Sequence, residues 1–380
     1  MFGVAKNFIF IVSILIGTIV GAGIFGIPYA ISRSGILPGL FYFLILGILV
    51  TLIHLFFGEI SLRTKGKHRL IGFSRKYLGK RSDIFIAVSV IFGTVGALLA
   101  YLILAGDFLK IIFSPWIDLN SFYFTLFFWV ILFWFIFWKT KLIPKAELIS
   151  NGFFFLIILL TLVFALPKVE ISNFAFFNSE NLFLPFGVLL FSLVGWSAIP
   201  EMLEISKGRE EKKNLKKAII LTTAVVIFLY LLFTFAVIGV AGRNVSIDAI
   251  SGLIPFLGGK IIFLGALAGI ITLADSFLVL ALYLRNTLIY DFKFSPAISS
   301  FISGFSPLFL FLIGFRSFIG TIGFVGTIIG AIEGLIIILI FQRAKALGDR
   351  EPEYNLKVPS FVLYFLMLIL VSGAIIQIFI

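Results

Sequence analysis

Residues 17–30 read GTIVGAGIFGIPYA. They lie inside an apolar run, residues 8–31, long enough at about 1.5 Å per residue to cross a bilayer of roughly 30 Å. The middle of that run is unsuited to an ordinary span. Gly21, Gly23 and Gly26 weaken a helix there, and Pro28 lacks an N–H. Irregular backbone at that depth is tolerated only where it is buried in protein or lines a cavity. The stretch therefore predicts a helix broken near mid-membrane, with the break as a binding site. The competing reading is a kinked helix whose glycines serve close packing.

Working outward, the composition places the run in a polytopic membrane protein. Of 380 residues, 61% are hydrophobic and 13% charged, which leaves no room for a large soluble domain. Cysteine is absent, so disulfides, thiolate metal sites and cysteine nucleophiles are excluded, and with only His54 and His68 a histidine metal centre is not expected. The net charge of +12 is not a nucleic-acid signature here, because in a membrane protein the placement of Lys and Arg matters more than their sum. Lys6 precedes the first run as in a signal peptide, but the run is too long and no small-residue cleavage site follows, so the segment is read as retained. Nor does the sequence show an Asp-rich pair, metal-spaced histidines or an activated nucleophile, the groups a lipid-modifying membrane enzyme needs.

Apolar runs separated by charged or Pro/Gly-rich breaks give eleven expected transmembrane spans: 8–31, 36–62, 83–112, 121–138, 146–166, 183–203, 217–241, 257–287, 296–314, 318–341 and 358–379. An all-α multi-pass protein of the cell membrane follows. With a cytoplasmic N-terminus, only Arg33, Lys110, Lys168, Arg243, Lys260 and Arg316 face outward, leaving 24 of the 30 Lys and Arg inside, mainly at 63–81 and 207–217 with smaller groups at 139–145 and 343–357. That asymmetry is what the positive-inside rule requires, and an odd span number puts the C-terminus outside. The basic loops are read as topology determinants on a solvated face, with specific binding of anionic lipid as the sharper alternative.

The sixth run echoes the first. Residues 186–202 read FGVLLFSLVGWSAIPEM, and Gly195, Ala198, Ile199 and Pro200 parallel Gly21 or Gly23, Gly26, Ile27 and Pro28. Two interrupted helices of opposite direction, each opening five spans, mark an inverted repeat with a site at its interface. The expected units are residues 1–166, residues 183–341 and an additional span at 358–379.

A broken helix offers polar groups without charged side chains. The half after the break presents unpaired N–H groups suited to a carboxylate, and the carbonyls ending the half before it suit an ammonium or a metal cation. An amino acid carries both charges. Its carboxylate is expected on the N–H groups of Ala22, Gly23 and Ile24, within a substrate stretch from Gly21 to Phe25. Its amine is expected at carbonyls near Thr18, Ile19, Phe191 and Ser192, with Gly195 at the second break and Trp196 as a wall or lid, or simply a space-filling aromatic. Phe25, Leu99, Ser192 and Trp196 suggest a neutral side chain. Within residues 271–286, ITLADSFLVLALYLRN, Asp275 is an intramembrane carboxylate that must bind a cation, carry a proton or be paired. Asp275, Ser276, the Thr272 carbonyl and the carbonyls of Gly17 and Val20 would together supply oxygens for sodium. A proton on Asp275 is the alternative.

Six further residues carry weaker signals. Asp107 and Arg33 are a possible outer gate pair, or plain interfacial charges. Glu59 and Glu201 read as orienting salt bridges, and His54 as a satisfied core residue. Glu333, among Gly320, Gly323, Gly326, Gly330 and Gly334, is a possible gate or proton group on a packing face.

These residues resemble a known family. GTIVGAGIFGIPYA is similar to the first-span motif of the amino acid–polyamine–organocation superfamily, and AYLILAGDFL, residues 100–109, resembles the third span of its amino acid/auxin permease branch. The resemblance implies a LeuT-type architecture of five plus five inverted helices, with broken first and sixth helices, and secondary uptake of amino acids. It also implies, for sodium-coupled members, an ion site between the first and eighth helices, which falls on Gly17, Val20, Thr272, Asp275 and Ser276. The eighth span departs from the branch pattern, with Leu284, Arg285 and Asn286 where a proline before an arginine is usual. The fifth span has no lysine of the kind that some proton-coupled relatives place near this site, which favours sodium. The expectation is a sodium-coupled amino-acid symporter needing no cofactor beyond its ion, with a proton-coupled symporter or a non-transporting amino-acid sensor as alternatives on the same fold.

Overall fold

The computed structural model describes residues 2–137, 143–206, 208–290 and 292–379, with the backbone alone at 2–6, 80, 81, 83 and 143–149. Of the expected basic groups, Lys139, Lys141 and Lys207 lie outside the described residues, as does the end of the fourth run. Among the described residues everything regular is helical, which is how an apolar segment satisfies its backbone groups without water.

The first span is two helices, α1 (Phe2–Ile19) and α2 (Gly23–Ser34), bent by 54° across Val20–Ala22. Next come α3 (Ile36–Arg63), a short α4 (Leu70–Leu78) and α5 (Lys80–Phe113). The α4 helix lies inside the first basic cluster, which the sequence reading treats as loop. Its Leu70, Ile71, Phe73 and Tyr77 are buried while Arg75 and Lys76 stay outside. That amphipathic pattern is too short to register as a span. Then follow α6 (Ser121–Phe137), α7 (Ile143–Ala165), and the two halves of the sixth span, α8 (Leu184–Leu193) and α9 (Ile199–Ile205). The second half of the chain continues with α10 (Arg209–Ala241), α11 (Ile254–Leu257), α12 (Gly259–Tyr290) and α13 (Pro296–Leu312). The tenth span is α14 (Phe318–Phe324) and α15 (Gly330–Leu347), joined by one π-turn over Val325–Ile329, and α16 (Ser360–Phe379) closes the fold.

Among the described residues, eight helical segments are long and apolar enough to cross a membrane, and the bent first pair makes nine. The helices at the expected fourth and ninth positions, Ser121–Phe137 and Pro296–Leu312, have 17 residues each and are shorter than the others. Large apolar side chains such as Phe92, Phe127, Trp134 and Phe361 stand exposed around the bundle, the surface that hydrocarbon chains would cover.

Both ends of the bundle are tied. At the end away from the N-terminus, the segment after α7 lies across the first span: Ile36 and Leu37 donate to the carbonyls of Ala175 and Phe176, and Asn178 donates to Ser34 O. At the other end, here called the basic end, residues 348–359 form a strap over the end of α3. Leu356 N–H donates to Glu59 Oε2 at 2.6 Å, Tyr354 donates to Leu55 O at 2.8 Å, and Asp349 pairs with Lys76. Buried Glu59 also pairs with Arg63 at 2.8 Å, as its position beside a basic loop suggests. Burial holds the Tyr354 phenol well above its ordinary range, with the nearby Glu59 carboxylate adding to the effect.

Candidate substrate and ion site

The first break leaves backbone groups open on both sides. The last regular bond of α1 runs from Val20 N–H to Ile16 O, and the next from Phe25 N–H to Ala22 O. Among the described residues, the N–H groups of Gly21, Ala22, Gly23 and Ile24 find no partner, and the carbonyls of Gly17 and Thr18 receive no backbone donor. Gly23 packs closely on the sixth span, since a Cβ there would lie 2.8 Å from the Ser192 Cα. Over Gly21 stands Tyr101, whose hydroxyl would be 2.6 Å from an added Cβ. A helix start with free donors and a helix end with free acceptors thus face one buried space, a charge pattern that matches a zwitterion.

The second break is held by a residue that the sequence reading assigns to the core. Gly195 N–H donates to His54 Nε2 at 3.0 Å and so is diverted from Phe191 O, the acceptor a continuing helix would use. His54 is therefore a cap on the broken sixth span, with its proton on Nδ1, which has no partner among the described residues. Val194 and Gly195 leave the helix, and a 3-10 turn at Trp196–Ala198 leads into α9. Unlike the first, this break bends the chain by less than 40°, and Leu184–Ile205 still runs as one 22-residue span. The two breaks are linked by Tyr230 of α10, fully buried, whose hydroxyl lies 3.2 Å from both Ile19 O and Ser192 O.

Between the breaks is a cavity of about 140 Å³. Thr18, Ile19, Gly21, Gly23, Phe191, Ser192 and Trp196 line it as expected. Ala22, Ile24, Phe25 and Gly195 do not, though the N–H groups of Ala22 and Ile24 belong to the open backbone. Phe25 instead packs edge-on against Phe108 at 4.9 Å and Phe233 at 6.1 Å, three rings buried together. At the basic end the same cavity reaches the partly exposed Arg69, Pro200 and Tyr283. Arg69 there pairs with Glu201 at 3.7 Å and lies over the Tyr283 ring, so Glu201 is an ion-pair partner as expected.

A second cavity, about 190 Å³, shares Thr18, Tyr101 and Arg69 with the first and is lined by Gly17, Asp275 and Ser276. The structure thus brings three of the five expected ion-site residues together. Thr272 and Val20 do not line this space, and the Thr272 hydroxyl donates to Ala268 O within its own unbroken helix. Ser150 lies close to the Asp275 carboxylate, and Asn151 lies beside Gly17, 3.3 Å from where a Cβ would be. Sequence reasoning missed this Ser150–Asn151 pair, although two adjacent polar residues in an otherwise apolar run were a signal. It missed Tyr101 and Tyr230 for lack of one, since each reads as one more aromatic among 10 tyrosines.

The expected gate does not form here. Among the described residues no ion pair joins Arg33 and Asp107: the Arg33 guanidinium lies 5.0 Å from the Tyr29 ring centroid, and Asp107 lies near Ser121. Trp196 is a wall of the cavity and donates its indole N–H to Glu333 Oε2 at 2.7 Å.

Comparison with known proteins adds to this geometry. The model of the tryptophan/tyrosine permease family matches residues 5–377. A curated relative, glutamine transporter 2 of Aliivibrio fischeri (strain ATCC 700601 / ES114), is 25% identical over 361 residues, 91% of each chain. Among solved structures, the crystal structure of MhsT in complex with L-phenylalanine superposes with a TM-score of 0.69 over 97% of each chain at 15% identity. At that identity the likeness is one of fold, and the fold is the LeuT type.

Proposed function

From the premise that this chain belongs to the tryptophan/tyrosine permease family, and so is a multi-pass membrane permease, we propose that it takes up neutral amino acids by sodium-coupled symport and alternating access. The observation that carries the reading is the pair of breaks around one cavity, with unpaired N–H groups at Gly21–Ile24 and unpaired carbonyls at Gly17 and Thr18. A substrate carboxylate would take the free N–H groups, with the Tyr101 hydroxyl as a further donor, and the amine would sit near the Thr18 and Phe191 carbonyls. Sodium would bind Gly17 O, Asp275 and Ser276 in the adjoining cavity, with Val20 O and Thr272 O drawn in as the site closes. Because Gly17 and Gly21 belong to one interrupted turn, an ion at the first biases the geometry of the second, and only such differential binding can shift the balance between conformations.

Neutrality is supported by the relatives, one a glutamine transporter and one holding L-phenylalanine. In this reading the units 1–166 and 183–341 are the inverted repeats, 358–379 is an added span, and the layout follows the amino acid/auxin permease branch. The basic end is cytoplasmic, the C-terminus is outside, and Arg33 and Asp107 meet only in another conformation. The test is uptake of labelled amino acids into proteoliposomes under imposed sodium or pH gradients. Uptake driven by a sodium gradient alone supports the proposal, uptake driven only by a pH gradient assigns the coupling to protons, and amino-acid binding without flux makes the chain a sensor.

A further inference from the structure

Glu333 is the one carboxylate lining the cavity between the two breaks, and nothing in the ion site uses it. Trp196 donates to its Oε2, while Oε1 has no partner among the described residues. No Lys or Arg among them is paired with it either. An acidic group at membrane depth is costly unless it has something to bind. The walls next to it are cut back: Gly93, Ala97, Gly326 and Gly330 line the same space, and a Cβ on Gly93 would come within 3.7 Å of Oε1. These small residues leave room for a side chain entering from the breaks, and Oε1 lies where that side chain would end. An ionised carboxylate is purely an acceptor, and its Trp196 bond fixes which oxygen stays free.

We propose that Glu333 is the group that reads the substrate's side chain, accepting a hydrogen bond through Oε1 from a donor such as a phenol O–H, an indole N–H or a carboxamide N–H. This rests on the amino-acid-carrier reading and narrows it to neutral amino acids whose side chains carry a donor. Trp196 is a positioning residue in this scheme, because it orients the carboxylate through its indole N–H. A side chain of the same shape without a donor leaves a desolvated carboxylate oxygen unpaired, and sites built around such a bond discriminate strongly against the analogue lacking it.

The test measures binding to the purified full chain for two matched pairs, tyrosine against phenylalanine and tryptophan against 1-methyltryptophan. The donor-bearing member of each pair is expected to bind the wild-type protein about ten- to a hundredfold more tightly. In Glu333→Gln, where Trp196 retains an acceptor but the free position carries an NH2, both ratios are expected to fall to within about threefold of one. In Glu333→Asp, which keeps the charge on a shorter stem, they are expected to fall in between. Ratios near one in the wild-type protein, or undiminished ratios in either variant, overturn the assignment. Binding of other amino acids but none of these four overturns it while leaving the carrier reading intact. If no amino acid binds at all, the carrier reading fails, and this assignment with it.

Discussion

Asp275 and Gly23 are the residues on which the two halves of the proposed site depend. Asp275→Ala removes the carboxylate that lines the second cavity together with Gly17 and Ser276, so sodium is expected to lose its stimulation of uptake and its stabilisation of the folded protein, read as a sodium-dependent rise in Tm. Sodium stimulation unchanged in that variant would sink the ion assignment. Gly23→Ala brings a Cβ to 2.8 Å from Ser192 Cα, a backbone atom that cannot rotate away. A stability loss of about 1–3 kcal/mol is expected together with reduced substrate binding. Binding kept in a folded variant would show that the break only serves packing. Both residues were legible because each breaks a local rule, a glycine cluster in a span and a charge at depth. His54 was not: a lone histidine in an apolar run gives no sign that its acceptor is aimed at a backbone N–H in another helix. That pairing joins residues 141 positions apart, a separation over which no helical periodicity operates.

At the scale of helices, Tyr230 makes the two breaks one device. Its hydroxyl has a single proton and two carbonyls within 3.2 Å, one from each broken span. Tyr230→Phe keeps the ring and removes the bridge. It is expected to lower stability by about 1 kcal/mol, seen as a drop in Tm, and to increase hydrogen exchange at both breaks together. Exchange that rises at only one of them would mean that the breaks are held separately. The existence of both breaks could be read from glycine and proline placement, but their unequal geometry could not. The first bends by 54°, while the second bends by less than 40°, its non-helical stretch being only Val194 and Gly195 before the 3-10 turn. Helix α4 escaped notice for a related reason. Nine residues in a charged cluster satisfy neither the length nor the hydropathy of a span, and what makes α4 helical is the apolar face it turns toward α5.

For the whole molecule, the partly exposed lining of the cavity lies at the basic end. Arg69, Pro200 and Tyr283 border it there, while Phe25, Phe108 and Phe233 pack against one another as a buried cluster outside its lining. The absence of cysteine makes this directly measurable. Ser197 lines both cavities, and Ser197→Cys is expected to react with a membrane-impermeant thiol reagent from the side of the basic loops and not from the other. Bound substrate is expected to slow the reaction, and equal labelling from both sides would refute access from the basic end alone. The run of apolar helices and the clustering of basic residues were readable from hydropathy and charge. Which end of the cavity is accessible was not, because its lining comes from side chains far apart in the sequence.

The π-turn at Val325–Ile329 also sets a phase. One extra residue in a turn rotates everything beyond it by about 100° relative to an uninterrupted α-helix. Glu333 lies past that point, four residues beyond Ile329, so the insertion acts as a fixed angular offset that points the carboxylate at the cavity. The aim of Glu333 is therefore a matter of residue count as much as of residue type. Substitutions within 325–329 that preserve the count leave the dial unchanged, whereas losing any one of the five residues would turn the acid by more than a quarter of a circle, without altering a single side chain in the site.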